Sequence, residues 1–104
     1  MILELTDQNF ENTLSSIHGL VIVDFWSPWC RPCNMLNPII KSLAENNADV
    51  SIGKVNTMEN QLLARKFNIS AVPTILFLKN GNLVKKILGY VKEADLQKYI
   101  DELK

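Results

Sequence analysis

The sequence has few of the residues that build structural zinc sites or crosslink a chain: its 104 residues include two cysteines and one histidine. A structural zinc site takes four ligands, and a second cysteine pair or a histidine pair is missing, so zinc is disfavoured. Long hydrophobic runs are also missing, because Leu20–Trp26 is interrupted by Asp24 and is too short to span a bilayer. Finally, the charges of 11 basic and 11 acidic residues cancel, so the net charge is about zero. This disfavours nucleic acid as a partner, because nucleic-acid-binding proteins present a basic surface.

The first ten residues, MILELTDQNF, lack the basic segment followed by an apolar segment that marks a signal peptide. We therefore expect a cytoplasmic protein, in a compartment that keeps thiols reduced. No linker rich in glycine, serine or proline divides the chain, and no internal repeat is visible. These features favour one domain over residues 1–104, which we expect to be a monomer.

Short apolar runs alternate with segments of helical periodicity along the chain. The apolar runs predict five strands, at Ile2–Glu4, Leu20–Trp26, Val50–Val55, Thr74–Lys79 and Leu83–Leu88. The periodic segments predict helices marked by Phe10, Leu14 and Ile17, over Cys30–Asn46, over Glu59–Phe67, and around Leu96–Leu103. Thr6 or Asp7 is the predicted cap of the first helix. Asn80-Gly81 predicts a type I′ hairpin, because both turn residues need positive φ. The order indicates an α/β fold, with helices on both faces of a central mixed sheet and a C-terminal β-hairpin plus helix.

Both cysteines lie in one short segment, WCRPC, between the predicted central strand and the helix that follows. Residues three apart in a helical turn have Cβ atoms about 5–6 Å apart, which is close to disulfide geometry. The pair can therefore close and reopen with little backbone movement. So short a ring adds little stability, which favours a redox role over a structural one. Two inert buried thiols are the alternative, although a position at a helix start argues against it.

The two sulfurs are expected to differ in reactivity. Cys30 lies at the helix N-terminus, where free N–H groups and the helix dipole favour a thiolate. Cys33 lies one turn further on and is expected to be more buried. This asymmetry suits a two-step exchange, in which Cys30 attacks a substrate disulfide and Cys33 then resolves the mixed disulfide. Pro32 between them fits the first helical turn, where its missing N–H costs nothing.

The segment VDFWSPWCRPC resembles the active site of thioredoxins, which usually reads CGPC. The segments KVN (Lys54–Asn56), VPT (Val72–Thr74) and KNG (Lys79–Gly81), together with Gly89, fall in the order and spacing of that family. The resemblance covers nearly the whole chain. It implies a thioredoxin fold, general protein disulfide reductase activity on disulfide-containing client proteins, and no bound cofactor. It also implies that an NADPH-dependent thioredoxin reductase recharges the dithiol.

Residue by residue, the resemblance implies that Cys30 is the nucleophile and Cys33 the resolving cysteine. Pro73 matches the cis-proline that faces the disulfide. The apolar groove that docks the substrate backbone is matched by Trp29, Val72, Pro73 and Gly89. For Trp29 the alternative is ordinary core packing, but a tryptophan in a loop before a reactive cysteine favours surface contact.

Charge near the motif departs from the usual family pattern. Arg31 replaces the usual glycine, so a permanent positive charge adjoins Cys30. We interpret Arg31, Pro32 and Lys54 as residues that tune the redox properties of the pair. The reaction type is unaffected by this departure, whereas the reduction potential and the choice of partner depend on it.

Asp24 is the one polar residue in LVIVDFW. Strand alternation places it on one face with Ile22 and Trp26, where burial should raise its pKa. Because such acids cluster at active sites, we interpret Asp24 as catalytic: it would take the proton from Cys33 during resolution, through a water if not directly. The alternatives are a surface carboxylate at a strand end, or a structural one paired with Lys54 on the next strand.

Three functions compete on the sequence alone. The first is a thiol–disulfide oxidoreductase that works mainly as a reductase. The second is an oxidant or isomerase, whose relatives tend to carry histidine between the cysteines and an export signal, both missing here. The third is a binding or scaffold subunit that uses the groove without redox turnover. An insulin-reduction assay comparing the chain with Cys30→Ser separates the reductase from the scaffold.

Overall fold

The computed structural model describes all 104 residues. The sheet has five strands: β1 (Ile2–Glu4), β2 (Leu20–Trp26), β3 (Ser51–Asn56), β4 (Thr74–Lys79) and β5 (Asn82–Leu88). Four helices connect or follow them: α1 (Phe10–Ser15), α2 (Arg31–Asn46), α3 (Gln61–Lys66) and α4 (Glu93–Leu103). None of these helices is both long enough and apolar enough to cross a membrane.

The sheet is mixed, and its strand order is β1-β3-β2-β4-β5. β1, β3 and β2 run parallel, whereas β4 is antiparallel to both β2 and β5. The turn between β4 and β5 has positive φ at Asn80 (51°) and Gly81 (84°), as a type I′ hairpin requires. The predicted α/β class, with a C-terminal hairpin and helix, is therefore confirmed.

Both faces of the sheet are covered, so β2 lies between two cores. On one face Ile22 packs with residues of α2 and α4, including Leu36 and Ile100. On the other face Val23 packs with residues of α1 and α3, such as Phe10. Burial on both faces explains why β2 is an almost continuous run of β-branched and aromatic residues.

The ends of the helices differ from the prediction at several places. Asn9, rather than Thr6 or Asp7, is the N-cap of α1. Thr6 and Asn9 exchange hydrogen bonds between their backbone N–H groups and side-chain oxygens, at 2.8 and 3.1 Å. Asp7 instead accepts a hydrogen bond from the Leu63 N–H of α3, at 2.9 Å. The prediction was wrong for Asp7, because its carboxylate finds its donors in another part of the chain. Thr6 does form a cap-type bond with the Asn9 N–H, but in the turn that precedes α1.

Candidate active site

The two cysteines are joined in a disulfide at the start of α2, with their Cα atoms 5.2 Å apart. Cys30 is the N-cap residue, with an extended backbone (φ −101°, ψ 108°), and the helix begins one residue later than predicted. The Cys33 N–H donates a hydrogen bond to Cys30 Sγ at 3.2 Å. In a helix N-cap this acceptor position is usually held by an oxygen. The Cys30 sulfur therefore lies at the N-terminus of α2, where the free backbone N–H groups stabilise negative charge on it.

The two sulfurs differ in their access to solvent. Cys33 is 1% exposed, whereas Cys30 is half-buried. Arg31 and Pro32, between them, are both exposed, and Pro32 lies in the first turn of α2. A large client can therefore reach Cys30 but not Cys33.

A second loop lies against the disulfide. The peptide bond between Val72 and Pro73 is cis, as the resemblance implies, and the Val72 carbonyl oxygen lies 3.6 Å from Cys30 Sγ. The Gly89 N–H donates to the Pro73 carbonyl oxygen at 2.8 Å. The tertiary fold thus brings Val72 against the Cys30 sulfur, with Pro73 next to it and Gly89 bonded to Pro73, although all three lie more than forty positions from Cys30 in the sequence.

Trp29 lies in the loop between β2 and α2, and 83% of its surface is exposed. The structure places it outside the core, whereas Trp26, at the end of β2, is half-buried. A large exposed aromatic residue beside a reactive sulfur is typical of a surface that contacts a partner.

Asp24 is completely buried on β2, and neither of its carboxylate oxygens has a hydrogen-bond partner. Burial raises the pKa of Asp24 from 3.8 to about 6, and the nearby positive charge of Lys54 opposes that rise. The alternative of a surface carboxylate is therefore wrong. A buried acid with a pKa of about 6 can accept or release a proton at nearly neutral pH.

Lys54 lies directly opposite Asp24 on β3, yet the two side chains form no salt bridge. The ion pairs of the structure are Lys66 with Glu11 and Lys104 with Asp49. The Lys54 Nζ instead donates a hydrogen bond to Asn37 Oδ1 at 2.6 Å. It also lies 5.0 Å from the centre of the Trp26 ring.

Asn37 was missed by the sequence reasoning. Its signal was present, because it lies four residues after Cys33 and therefore on the same side of α2. What could not be read from the chain is that Lys54 of β3 turns toward it. Elsewhere, no three histidine, cysteine, aspartate or glutamate side chains lie close enough together to hold a metal ion.

A cysteine pair at the start of a helix, at the end of the central strand, can open and close without rearranging the fold. Once the pair is reduced, the more accessible thiolate can attack a disulfide of another protein. The fold and this site together define the class of thiol–disulfide oxidoreductases. Comparison with known proteins narrows the class: the family model described as Thioredoxin matches residues 1–102. The chain belongs to the thioredoxin family.

Individual relatives agree with that family. The chain is 36% identical to a thioredoxin of Buchnera aphidicola subsp. Acyrthosiphon pisum over 102 aligned residues. The alignment covers 97% of this chain and 94% of the relative. It is 37% identical to a thioredoxin of Chlamydia pneumoniae, with 98% of each chain covered. It is 36% identical to a thioredoxin of Bacillus subtilis, with 97% of this chain and 96% of the relative covered.

The predicted function is confirmed: the chain is a thiol–disulfide oxidoreductase of the protein-disulfide reductase type, and the scaffold and oxidant alternatives are not favoured. Thioredoxins need no bound cofactor.

Proposed function

We propose that Cys30 is the nucleophile and Cys33 the resolving cysteine of a general protein disulfide reductase. The Cys30 thiolate attacks one sulfur of a client disulfide, and the other client sulfur leaves as a thiolate. Cys33 then attacks Cys30 Sγ, which breaks the mixed disulfide and releases the second client sulfur. The client gains two electrons, and the Cys30–Cys33 pair is left oxidised. The partial exposure of Cys30 and the complete burial of Cys33 support this order.

We further propose that Asp24 accepts the Cys33 proton during the second step, directly or through a water. A thiol must lose its proton before it attacks, and a buried acid that titrates near neutral pH is suited to take it. The pKa of about 6 for Asp24 supports this assignment. Arg31, Pro32 and Lys54 would tune the potential of the pair, two of them by charge and Pro32 by shaping the first turn of α2.

Trp29, Val72, Pro73 and Gly89 would form the groove that docks the client. The contact between Val72 O and Cys30 Sγ supports this role, because a client backbone lying along Val72 would present its disulfide to Cys30. The exposed indole of Trp29 would supply apolar contact area on the adjoining loop.

The proposed physiological setting follows from the family. A thioredoxin reductase would return electrons from NADPH to the oxidised pair, and disulfide-containing proteins would be the clients. The chain would act as one domain over residues 1–104, as a monomer in the cytoplasm, without nucleic acid. One continuous sheet that includes strands from Ile2 to Leu88 supports the single domain.

The observation that carries the proposal is the hydrogen bond from the Cys33 N–H to Cys30 Sγ at the N-cap of α2. The test is the reduction of insulin disulfides, followed as turbidity with dithiothreitol as the electron source. We expect the chain to accelerate the reaction and Cys30→Ser to abolish that acceleration. Equal acceleration by Cys30→Ser would contradict the assignment of the nucleophile.

The source of electrons is tested separately. In the same assay dithiothreitol is replaced by NADPH and a bacterial thioredoxin reductase, and NADPH absorbance is followed. We expect NADPH consumption to depend on the chain and on both cysteines. Activity with dithiothreitol but none with several such reductases would contradict the proposed electron route and leave the reductase chemistry intact.

A further inference from the structure

We propose that Asn37 is a positioning residue that holds the Lys54 ammonium away from Asp24. It would thereby set the pH range in which Asp24 exchanges its proton. This inference rests on the proposed role of Asp24 as the proton acceptor for Cys33. It assigns a part in that step to a residue that does not touch the reacting atoms.

The strand register alone would favour an ion pair. Asp24 and Lys54 are direct partners on the adjacent parallel strands β2 and β3, so their side chains leave the same face of the sheet. Lysine has a long flexible stem, and a buried carboxylate without hydrogen bonds is a strong attractant for a cation. Even so, the two groups do not come within salt-bridge distance, and both Asp24 oxygens stay unpartnered.

The Lys54 ammonium is held by two other contacts. It donates to the Asn37 amide oxygen at 2.6 Å and lies 5.0 Å from the Trp26 ring centre. An amide oxygen accepts a hydrogen bond without a formal charge. Asn37 can therefore fix the direction of the Lys54 side chain without adding a carboxylate that would itself act on Asp24.

The other surroundings of Asp24 leave Lys54 as the cation that can act on it. From β4, the register partner of Asp24 is the apolar Ile75. From α4, the buried residues on this face of the sheet are Leu96 and Ile100, and the partly buried Tyr99, whose ring packs on Phe77, is the titratable residue of that helix on this face. From α2, the titratable group near the redox turn is Cys33, which ionises only after the disulfide is reduced.

The direction of the effect follows from Coulomb's law. A cation that moves closer to a buried carboxyl favours its charged form and lowers its pKa. Removal of the Asn37 oxygen frees Lys54 to turn toward the unpartnered oxygens of Asp24. The pKa of Asp24 should then fall below its wild-type value of about 6, and the acid would hold its proton over a narrower pH range.

The experiment is an NMR titration of the Asp24 side-chain carboxyl carbon in the oxidised protein, so that no thiol takes part. We expect Asn37→Ala to move the midpoint to lower pH by about half a unit to one unit. Asn46→Ala, the same change at another exposed position of α2, should leave the midpoint in place. In a Lys54→Met background, Asn37→Ala should have no effect, because the cation it positions is gone.

An unchanged midpoint in Asn37→Ala, a shift to higher pH, or an equal shift with and without Lys54 would overturn the inference. A second readout is the pH profile of insulin reduction by wild type and Asn37→Ala, whose acidic limb should move with the carboxyl. If the titration midpoint of Asp24 shifts but the pH profile of insulin reduction does not, Asp24 is not the proton acceptor. The first set of failures concerns Asn37 alone and leaves the reductase function standing.

Discussion

The two cysteines have the same side chain, yet the first turn of α2 gives them different environments. Cys30 precedes the helix and receives a backbone hydrogen bond, whereas Cys33 lies inside the helix and is buried. Free N–H groups at a helix start stabilise negative charge, so the thiolate is favoured at the sulfur that solvent and clients can reach. Reactivity and accessibility thus coincide at Cys30.

Replacement of the buried cysteine should trap clients. In Cys33→Ser the mixed disulfide on Cys30 has no neighbouring thiol to resolve it, so covalent adducts should accumulate. Intact mass spectrometry after incubation with oxidised client proteins measures them. Cys30→Ser is the matched control and should form few adducts, because Cys33 is 1% exposed. Equal trapping by both variants would contradict the assigned roles, and trapping by Cys30→Ser alone would reverse them.

Arg31 should make the pair more oxidising. Its permanent positive charge adjoins Cys30 and stabilises the thiolate, and therefore the reduced state. Because the side chain is exposed, solvent weakens the effect, and Arg31→Gly should lower the reduction potential by about 10–20 mV. Equilibration of both proteins in a series of glutathione buffers measures the difference.

The same substitution should change client preference. Arg31→Gly should weaken the reaction with acidic clients more than with basic ones, and added salt should reduce that difference by screening. An equal or higher potential in the variant would contradict the electrostatic role of Arg31, and would leave partner selection as its remaining effect.

Among the helices, α3 shows that a short element depends on distant residues for its start. It has six residues, too few to be stable alone in water. Its own N-cap residue, Asn60, makes no capping bond, because its side-chain oxygen accepts from the Asp7 N–H instead. Asp7 supplies the cap in return, through its carboxylate and the Leu63 N–H.

Loss of this cap should destabilise the fold without altering the chemistry. Asp7→Ala should lower the free energy of unfolding by about 1 kcal/mol, as is typical for removal of an N-cap acceptor. Urea unfolding of the oxidised protein measures the change. Asp7→Asn keeps an acceptor oxygen and should lose less. If the two variants were equally destabilised, the capping bond would not be the cause.

Across the whole molecule, burial of Asp24 couples stability to pH. The folded pKa of Asp24, about 6, lies above its ordinary value of 3.8. Between these two pH values the folded state therefore holds a proton that the unfolded state has released. The free energy of unfolding is therefore highest, as far as Asp24 is concerned, below about pH 4, where this residue is neutral in both states. It falls as the pH rises through 6, because the buried carboxyl then has to ionise in the folded protein.

Asp24→Asn should remove this dependence. The stability of the variant relative to wild type should increase between about pH 4 and pH 8, by up to about 3 kcal/mol for a shift of this size. Urea unfolding of both oxidised proteins across that range measures it. Asp95→Asn, at an exposed carboxylate of α4, is the control and should show a change within the small range typical of surfaces. Parallel stability curves for wild type and Asp24→Asn would contradict the prediction.

Catalysis gives an independent check on the same residue. If Asp24 takes the Cys33 proton, Asp24→Asn should also slow resolution, most clearly at neutral pH where the wild-type carboxyl is ionised. Stopped-flow mixing of the reduced protein with excess client disulfide, followed by the release of the second client thiol, measures that step. Unchanged resolution rates across the neutral range would contradict the proton-transfer role.

Local patterns determined much of the architecture. β1, β2 and β4 have the bounds expected from their apolar runs, because strand formation there depends on side chains close in sequence. The hairpin at Asn80-Gly81 follows from the positive φ that these two residues tolerate. The pairing distance of Cys30 and Cys33 follows in the same way from their spacing at a helix start.

Tertiary structure alone decided which polar groups meet. Asp7 caps α3 instead of α1, and Lys54 bonds Asn37 instead of Asp24. In each case the two partners lie far apart in the sequence, and the sequence alone allows each group several possible partners. The choice among them depends on distances of a few ångströms, which are set only when the helices pack on the sheet, because hydrogen bonds and charge interactions weaken steeply with separation and direction.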